Sequence, residues 1–268
     1  MKNKEGCIGG DKMKSKLRYI LIFVFSIFFI ISMFQENVRA VMAADYLSVN
    51  AESKAENGKI SKHKKKIIYL TFDDGPSYKV TNNVLDILKK NEVKATFFLI
   101  GNQIEGREDI VKRIYEEGNS IGLHTYTHNF RRIYCNEDKF IQEMIECRAE
   151  IKKVVGVAPN IIRFPGGSYK HLSKSYLKKL HDNNFRVYDW NIDNCDGLNP
   201  KTSPYKLYAR AIKGSDKKDR VMLLLHCTDM NKNTCKALPQ IIEYYKAHGF
   251  EFGLITDDTA ELYFPIKR

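Results

Sequence analysis

Two adjacent carboxylates stand in the stretch TFDDGP, at residues 71–76, directly after the apolar run IIYL. Asp73 and Asp74 repel each other at the end of a hydrophobic strand, and burying both is costly unless positive charge compensates. A metal ion and an arginine side chain are two such compensating charges. The pair therefore predicts a polar site that holds a metal ion and an arginine.

Two histidines in the stretch HTYTH offer the ligands that such a metal site needs. His124 and His128 follow the apolar residues SIGL, so they stand at the end of another predicted strand. With Asp74 they supply one oxygen and two nitrogens, and a zinc-like ion held by three protein ligands keeps a position open for water. Such a set predicts hydrolysis by a metal-activated water.

Further charged residues supply the proton transfers that hydrolysis of an amide requires. Asp73 is free to accept the proton of the attacking water, and Arg163 would pair with it and hold it in place. His226, after the run LLL, would protonate the departing amine. A nearby carboxylate would raise the pKa of His226 and orient its ring. Asp196 is the first candidate for that role and Asp193 is its rival.

The elements that must position these residues are short apolar runs alternating with helix-period stripes. The runs predict seven strands, at residues 67–72, 94–100, 120–125, 161–165, 186–192, 221–227 and 250–256. The stripes predict helices whose buried faces carry Val84, Leu85 and Leu88, then Ile110, Val111 and Ile114, then Ile141, Met144, Ile145 and Ile151. Near-continuous apolar strands joined by helices indicate a parallel sheet covered by helices, and the chain length favours a closed or distorted (β/α) barrel.

The chemistry-bearing residues all follow the predicted strands, in strand order. Taken alone, an Asp-Asp pair is usually a solvated turn, and a single histidine after an apolar run is usually a core residue. In a parallel sheet or barrel, however, the carboxyl ends of the strands meet at one edge and carry the active site. The common location favours one shared site over several unrelated polar residues.

The composition fits one exported catalytic domain. The 268 residues, 43% of them hydrophobic, are ample for one core and few for two enzyme-sized domains. The net charge of +12 suits an acidic cell wall or membrane surface, and no motif for nucleic acid is present, so we expect no nucleic-acid partner. The six cysteines show no zinc-site spacing, and we expect mostly structural thiols.

The N-terminal region predicts export. Basic residues precede an apolar run at 19–34, and the small residues of VMAAD follow it, so residues 1–44 are interpreted as a cleaved signal peptide or a retained membrane anchor. Residues 45–66 are charged and poor in apolar side chains, which predicts a polar linker. We assign residues 67–262 to the catalytic domain and 263–268 to a C-terminal tail.

The chain resembles the polysaccharide deacetylases of the NodB-homology type, carbohydrate esterase family 4. TFDDGP, HTYTH, RFPGG, DWNIDNCDG and LLLH match the five family motifs in order. The resemblance implies a distorted (β/α)7 barrel with one divalent metal ion, usually zinc, with cobalt or manganese as alternatives. It implies these roles: Asp73 as base, Asp74, His124 and His128 as metal ligands, Arg163 as the partner of Asp73, His226 as acid and Asp196 as its tuner. The N–H of Gly166 would stabilise the oxyanion, and Leu224 would line the acetyl pocket.

Two positions depart from the family pattern. Many members carry an aromatic residue where Gly166 stands, and many carry Trp where Gly197 follows Asp196. RFPGG together with DWN resembles a bacterial subgroup. The missing aromatic residues bear on substrate preference more than on activity.

The expected function is removal of N-acetyl groups from a cell-wall polysaccharide, with N-acetylglucosamine of peptidoglycan as the leading substrate. A deacetylase or esterase acting on chitooligosaccharide, xylan or exopolysaccharide is the alternative, and an inactive wall-binding module is a third hypothesis. From the N-terminal segment we expect a location outside the cell or anchored on the outer face of the cytoplasmic membrane. We also expect a monomer, and a Gram-positive bacterium as its source.

Overall fold

The computed structural model describes residues 65–266. The predicted signal segment at 1–44 and nearly all of the predicted linker at 45–66 lie outside these residues, and the assigned domain limits stay predictions. Within residues 65–266, no helix combines the length and apolar character needed to cross a bilayer.

Eight strands of the described part of the chain form one sheet. They are β1 (Lys66–Gly75), β2 (Thr96–Leu99), β3 (Ser120–Leu123), β4 (Ile161–Ile162), β5 (Arg186–Val187), β6 (Ile192–Asp193), β7 (Arg220–His226) and β8 (Phe250–Phe252). The predicted strand at 186–192 is two short strands, since Tyr188 pairs as a single bridge with Leu262 and residues 189–191 are not in a strand.

Within residues 65–266, seven α-helices connect the strands. They are α1 (Val80–Lys90), α2 (Glu108–Glu116), α3 (Phe130–Ile133), α4 (Glu137–Val155), α5 (Lys174–Asp182), α6 (Pro204–Ile212) and α7 (Lys232–Ala247). The predicted stripes of the first two helices are buried in α1 and α2. In α4, Ile141, Met144 and Ile151 are buried, but Ile145 is 43% exposed, so the prediction for Ile145 was wrong. Ile145 lies on the solvent side of α4.

All paired strands are parallel, in the order β5-β4-β3-β2-β1-β7-β6, and β8 pairs with the start of β1. The strands β5 and β6 stand at opposite ends of this order, yet only residues 188–191 separate them. Five residue steps of extended chain span about 17 Å at most, so the sheet must curl until its two edges approach. This parallel half-barrel with outer helices confirms the predicted α/β barrel-like class and the single catalytic domain.

The curl separates two apolar clusters. Alternate side chains of β1, namely Ile68, Leu70 and Phe72, face the main core, which also contains the buried side chains of α1 and α2. Tyr69 belongs to a smaller cluster with Phe98, Ile161, Tyr188, Met222 and Ile255. Because side chains alternate along a strand, Thr71 and Asp73 share the face of Tyr69, nearer the carboxyl end. The smaller cluster therefore lies beneath the polar site.

The described part of the chain contains five cysteines, and all five are free thiols. Cys147 and Cys227 are fully buried, and burial raises the pKa of Cys147 to about 12. Burial suits a structural role for these two thiols, whereas Cys135 is exposed and Cys235 is partly buried. Cys195 differs because it lines the cavity of the site.

Candidate active site

The end of β1 presents the two aspartates in different directions. Asp73 is 2% exposed and still pairs with both neighbouring strands, whereas Asp74 adopts a left-handed backbone conformation with φ of 65°. The β1–β2 register shifts between Asp73 and Gly75, so Asp74 lies in an irregularity of the ladder. Such a bulge re-aims a side chain, and aspartate tolerates the left-handed region better than most residues.

Asp74, His124 and His128 converge as the sequence predicts. Asp74 Oδ1 lies 3.3 Å from His128 Nε2 and 3.5 Å from His124 Nε2, and one ligand atom from each residue falls within 4.8 Å of the others. Asp74 Oδ1 is buried and has no hydrogen-bond partner. A buried carboxylate oxygen without a donor is costly, and a cation satisfies it. One oxygen and two imidazole nitrogens suit a divalent metal, so these residues fit the ion that the family pattern implies.

The backbone around His124 selects the nitrogen that faces the site. His124 Nδ1 lies 3.0 Å from the carbonyl oxygen of Arg163, which accepts its hydrogen bond and leaves Nε2 free. Burial lowers the pKa of His124 and favours the neutral ring that can bind a metal. The carbonyl oxygen of Arg163, which follows β4, therefore orients the His124 ring so that Nε2 can act as a metal ligand.

The loop that carries His128 is fixed by a buried glutamate. Glu143 of α4 is fully buried, and its Oε2 accepts hydrogen bonds from Thr127 N at 2.7 Å and from Thr127 Oγ1 at 2.9 Å. Its Oε1 accepts a hydrogen bond from Arg132 Nε at 2.6 Å. The sequence analysis missed Glu143. The signal that could have found it is a glutamate next to Met144, within the buried stripe of α4.

Arg163 holds Asp73 from inside the barrel. The guanidinium is fully buried and its Nη1 donates to Asp73 Oδ1 at 2.9 Å and to Thr71 Oγ1 at 2.7 Å. Its Nε donates to the carbonyl oxygen of Tyr188 at 2.7 Å, and its Nη2 donates to that of Asp189 at 3.0 Å. The planar guanidinium is thus fixed at three corners, and it fixes the carboxylate in turn.

The partly buried His226 and the fully buried Asp196 form a second pair at the site. His226 Nδ1 lies 2.7 Å from Asp196 Oδ1, while Asp196 Oδ2 accepts hydrogen bonds from His226 N at 3.0 Å and Thr234 Oγ1 at 2.6 Å. Burial acts to lower the pKa of His226, but the hydrogen bond and charge of Asp196 outweigh it and raise that pKa to about 9. The ring is therefore protonated at neutral pH and has Nε2 left for a substrate.

Asp193 and Asp189 take other positions. Asp193 accepts a hydrogen bond from Cys195 N at 2.6 Å and lines the cavity, and burial raises its pKa. Asp189 is fully buried and accepts hydrogen bonds from Ser168 N at 3.0 Å and Phe264 N at 2.8 Å. Asp196, and neither of these two, is hydrogen-bonded to the His226 ring.

The remaining predicted residues line a cavity of about 260 Å³ together with the metal-site residues. Gly166 stands in the turn after Pro165 with φ of 73°, a conformation that glycine adopts without strain. Leu224 of β7 is 4% exposed and forms an apolar part of the cavity wall. All nine predicted site residues thus lie at one end of the barrel. Their catalytic roles stay predictions.

Comparison with known proteins agrees with this geometry. A candidate metal triad, in which His124 is buried and Asp74 and His128 are partly buried, lies at the carboxyl end of the parallel half-barrel. Together with the neighbouring Asp–Arg and His–Asp pairs it fits the class of metal-dependent hydrolases. The pattern of the polysaccharide deacetylase family matches residues 60–184. The chain belongs to this family, which confirms the resemblance, and it is an enzyme of the deacetylase class.

Similar proteins cover most of the chain. A peptidoglycan-N-acetylglucosamine deacetylase of Bacillus cereus is 34% identical over 239 residues, which are 87% of this chain and 83% of that protein. The crystal structure of a polysaccharide deacetylase from Bacillus cereus matches 75% of this chain and 96% of its own with a TM-score of 0.66 and 34% identity. The crystal structure of the catalytic domain of a peptidoglycan N-acetylglucosamine deacetylase from Eubacterium rectale matches 76% of this chain and 94% of its own. The TM-score is 0.68 and the sequence identity is 31%.

Proposed function

We propose that this protein removes N-acetyl groups from N-acetylglucosamine residues of peptidoglycan, with one zinc ion held by Asp74, His124 and His128. The orphaned Asp74 Oδ1 facing two imidazole nitrogens, between an Asp–Arg pair and a His–Asp pair, is the observation that carries the proposal. When bound, a divalent metal lowers the pKa of water and polarises the acetamide carbonyl. Cobalt and manganese are the alternative ions.

The side chains of this protein would handle the protons of the reaction. Asp73 accepts a proton from the attacking water, and Arg163 keeps its carboxylate aimed at the site. Water adds its oxygen to the carbonyl carbon, and the C–N bond then breaks. His226 Nε2 donates its proton to the departing nitrogen, so acetate and a free amine are the products. Asp196 holds the His226 ring in the protonated form until that step.

Two further groups would position the acetyl group. The backbone N–H of Gly166 would donate a hydrogen bond to the carbonyl oxygen as negative charge develops there. Leu224 would pack against the methyl group, because this apolar side chain lines the cavity and lies two residues before His226 on the same face of β7.

Peptidoglycan is the proposed substrate because relatives of similar length carry that activity in their names and because the positive charge suits an anionic wall. We also propose that the N-terminal segment directs export of the protein. The protein would then act outside the cell or at the outer face of the cytoplasmic membrane, as a monomer. A bifunctional xylanase/deacetylase of Pseudobutyrivibrio xylanivorans is 31% identical over 214 residues, 78% of this chain and 33% of that protein, which motivates other glycans as test substrates.

The test is acetate release by the purified protein from intact peptidoglycan and from chitooligosaccharides, before and after chelation, with zinc, cobalt or manganese restored. Acetate from peptidoglycan that disappears on chelation and returns with zinc supports the proposal. Acetate from chitooligosaccharides alone refutes the peptidoglycan substrate and keeps the reaction. No acetate from either glycan in the metal-loaded protein refutes the proposed reaction on both and favours a binding module.

A further inference from the structure

A half-exposed aromatic side chain lies beside the metal-binding residues. Phe130 is the first residue of α3, it is 50% exposed, and it lines the same cavity as Asp74, His128 and Gly166. A single exposed phenylalanine is ordinary on a protein surface. Phe130 is unusual because its exposed ring forms part of the wall of a catalytic cavity.

The ring of Phe130 occupies the space above Gly166. A Cβ atom built on Gly166 would lie 3.3 Å from Phe130 Cε1, which is a tight contact. The aromatic surface on this side of the cavity therefore comes from position 130, and the backbone of Gly166 stays open beneath it. Glycine at 166 makes room for the ring from the neighbouring loop.

Phe130 is held in place by its neighbours. The side chain of Asn129 caps α3 by accepting hydrogen bonds from Arg131 N at 3.1 Å and Arg132 N at 3.3 Å. The Phe130 ring packs at steep angles against His128, with centroids 5.4 Å apart, and against Tyr134, with centroids 5.7 Å apart. Tyr134 Oη in turn donates a hydrogen bond to the carbonyl oxygen of Pro165 at 2.6 Å. A ring fixed in this way loses little conformational entropy when it binds a ligand.

The second aromatic residue in the cavity wall is engaged elsewhere. Trp190 packs edge-on against Phe264, with centroids 5.1 Å apart, and Arg163 lies 5.8 Å from its ring centroid. It also closes on Gly167, where a built Cβ would lie 3.1 Å from Trp190 Cη2. Of the two aromatic residues that line this cavity, Phe130 is the one with half of its surface open to a ligand.

We propose that Phe130 is a specificity-determining residue that stacks against a pyranose ring of the glycan next to the scissile acetamide. The C–H groups on one face of a sugar ring carry partial positive charge, and they pack favourably on the negative face of an aromatic ring. Phe130 then holds the sugar while Asp74 and the histidines face the acetyl group. This inference rests on the proposed function, because it assumes an N-acetylated sugar as the ligand.

The experiment compares Phe130→Ala, Phe130→Leu and Phe130→Tyr in the full-length, zinc-loaded protein. Phe130→Leu keeps apolar bulk and removes the aromatic face, whereas Phe130→Tyr restores that face. The matched control is Tyr115→Ala, because Tyr115 is 45% exposed and does not line this cavity. The readouts are kcat and KM for acetate release, zinc affinity, and the Kd for the N-acetylglucosamine tetramer. Binding is followed by fluorescence of Trp190, the single tryptophan of the chain, in an Asp73→Asn background that prevents turnover.

We expect Phe130→Ala and Phe130→Leu to raise both KM and Kd about 10-fold while kcat stays within about twofold, the signature of lost uniform binding. Phe130→Tyr and Tyr115→Ala should stay near the unsubstituted protein, and zinc affinity should be the same in all. The inference would be overturned if Phe130→Ala left the Kd unchanged, or if Phe130→Leu bound the tetramer as well as the unsubstituted protein. It would also be overturned if weaker zinc binding explained the effect, or if the tetramer showed no saturable binding. Phe130-dependent binding without acetate release would refute the proposed reaction and leave this inference standing.

Discussion

The two halves of the active site are built on opposite principles. On one side, Asp74 Oδ1 is buried without a hydrogen-bond donor. On the other side, both oxygens of Asp196 are hydrogen-bonded, to His226 and Thr234. Left-handed backbone conformations occur in both halves, at Asp74, Thr125 and His128 and at Cys195. The carboxylate of the first half has an unmet electrostatic need, whereas protein atoms satisfy the carboxylate of the second half.

This difference shows which half depends on a ligand. A buried carboxylate oxygen without a partner destabilises the folded chain, and strained backbone concentrates at sites of function. A cation at Asp74 removes the destabilisation caused by the unpartnered carboxylate oxygen. The His226–Asp196 pair needs no such addition, because protein atoms already complete it. The metal half should therefore respond to chelation and the acid half to pH.

The largest expected effect comes from Asp74→Ala. This variant removes an anionic ligand, so zinc binding should be lost and kcat/KM should fall by about 10⁴-fold or more. Zinc should raise the melting temperature of the unsubstituted protein, since it binds the folded state, and should leave that of Asp74→Ala unchanged. Metal content after dialysis and thermal unfolding measure this. Stoichiometric zinc retained by the variant would refute the ligand assignment.

Asp73→Asn should separate the base from the metal ligands. We expect zinc to stay bound, because Asp73 pairs with Arg163, while kcat falls about 10³-fold since the proton acceptor is lost. Acetate release and metal analysis on the same preparation give both quantities. Asp182→Asn is the matched control, because Asp182 pairs with Lys178 on the exposed face of α5. Near-normal turnover by Asp73→Asn would mean that the two carboxylates have exchanged roles.

Asp196→Asn tests the half of the site that contains the His226–Asp196 pair. The variant keeps the shape of the side chain but removes the charge that stabilises protonated His226, so kcat should fall roughly 100-fold with zinc affinity unchanged. The alkaline limb of the pH–rate profile should also move to lower pH. Asp193→Asn should leave that limb in place, because Asp193 accepts a hydrogen bond from Cys195 N and is not hydrogen-bonded to the His226 ring. A shift caused by Asp193→Asn and absent in Asp196→Asn would contradict the geometry.

The smallest expected effect is a pH dependence of stability in the chelated protein. The pKa of His226 is raised from 6.5 to about 9 in the folded protein, so the folded state binds the proton more tightly than the unfolded state. The resulting stabilisation is fully present below pH 6.5 and is lost as pH rises through about 9. Urea unfolding across this range should show the loss in the unsubstituted protein and much less of it in Asp196→Asn. Equal pH profiles for the two proteins would contradict this prediction.

Metal binding should couple the two halves. The charges of Asp73 and Asp74 help to raise the pKa of His226, and a dication at Asp74 opposes them. The metal-loaded protein should therefore titrate His226 at lower pH than the chelated protein. Histidine signals followed by NMR across the pH range can measure the difference, and an identical pKa in both states would mean that the halves act independently.

Strand order and the motifs made most of the fold and the metal site predictable. Asp74, His124 and His128 each follow an apolar run, and parallel strands bring their carboxyl ends together, so no fine geometry was needed to group them. The helix stripes failed at Ile145, because periodicity cannot tell the edge of a buried face from its centre. The predicted strand at 186–192 failed because the chain crosses between the sheet edges there.

Other features were decided by partners distant in sequence. The sequence favours Asp196 over Asp193 without excluding Asp193. The contacts of Asp196 with His226 and Thr234, 30 and 38 residues away, place Asp196 against the ring. Glu143 supports the HTYTH loop from a helix that no motif includes.

The sequence by itself determined that the candidate ligands, base and acid share one edge of the sheet, because residue type and strand order suffice for that grouping. Only the tertiary structure decided which carboxylate meets His226, which nitrogen of His124 faces the candidate metal site, and which aromatic ring covers Gly166. Those choices depend on hydrogen bonds and packing between elements that are far apart in the chain, and local sequence patterns do not encode such contacts.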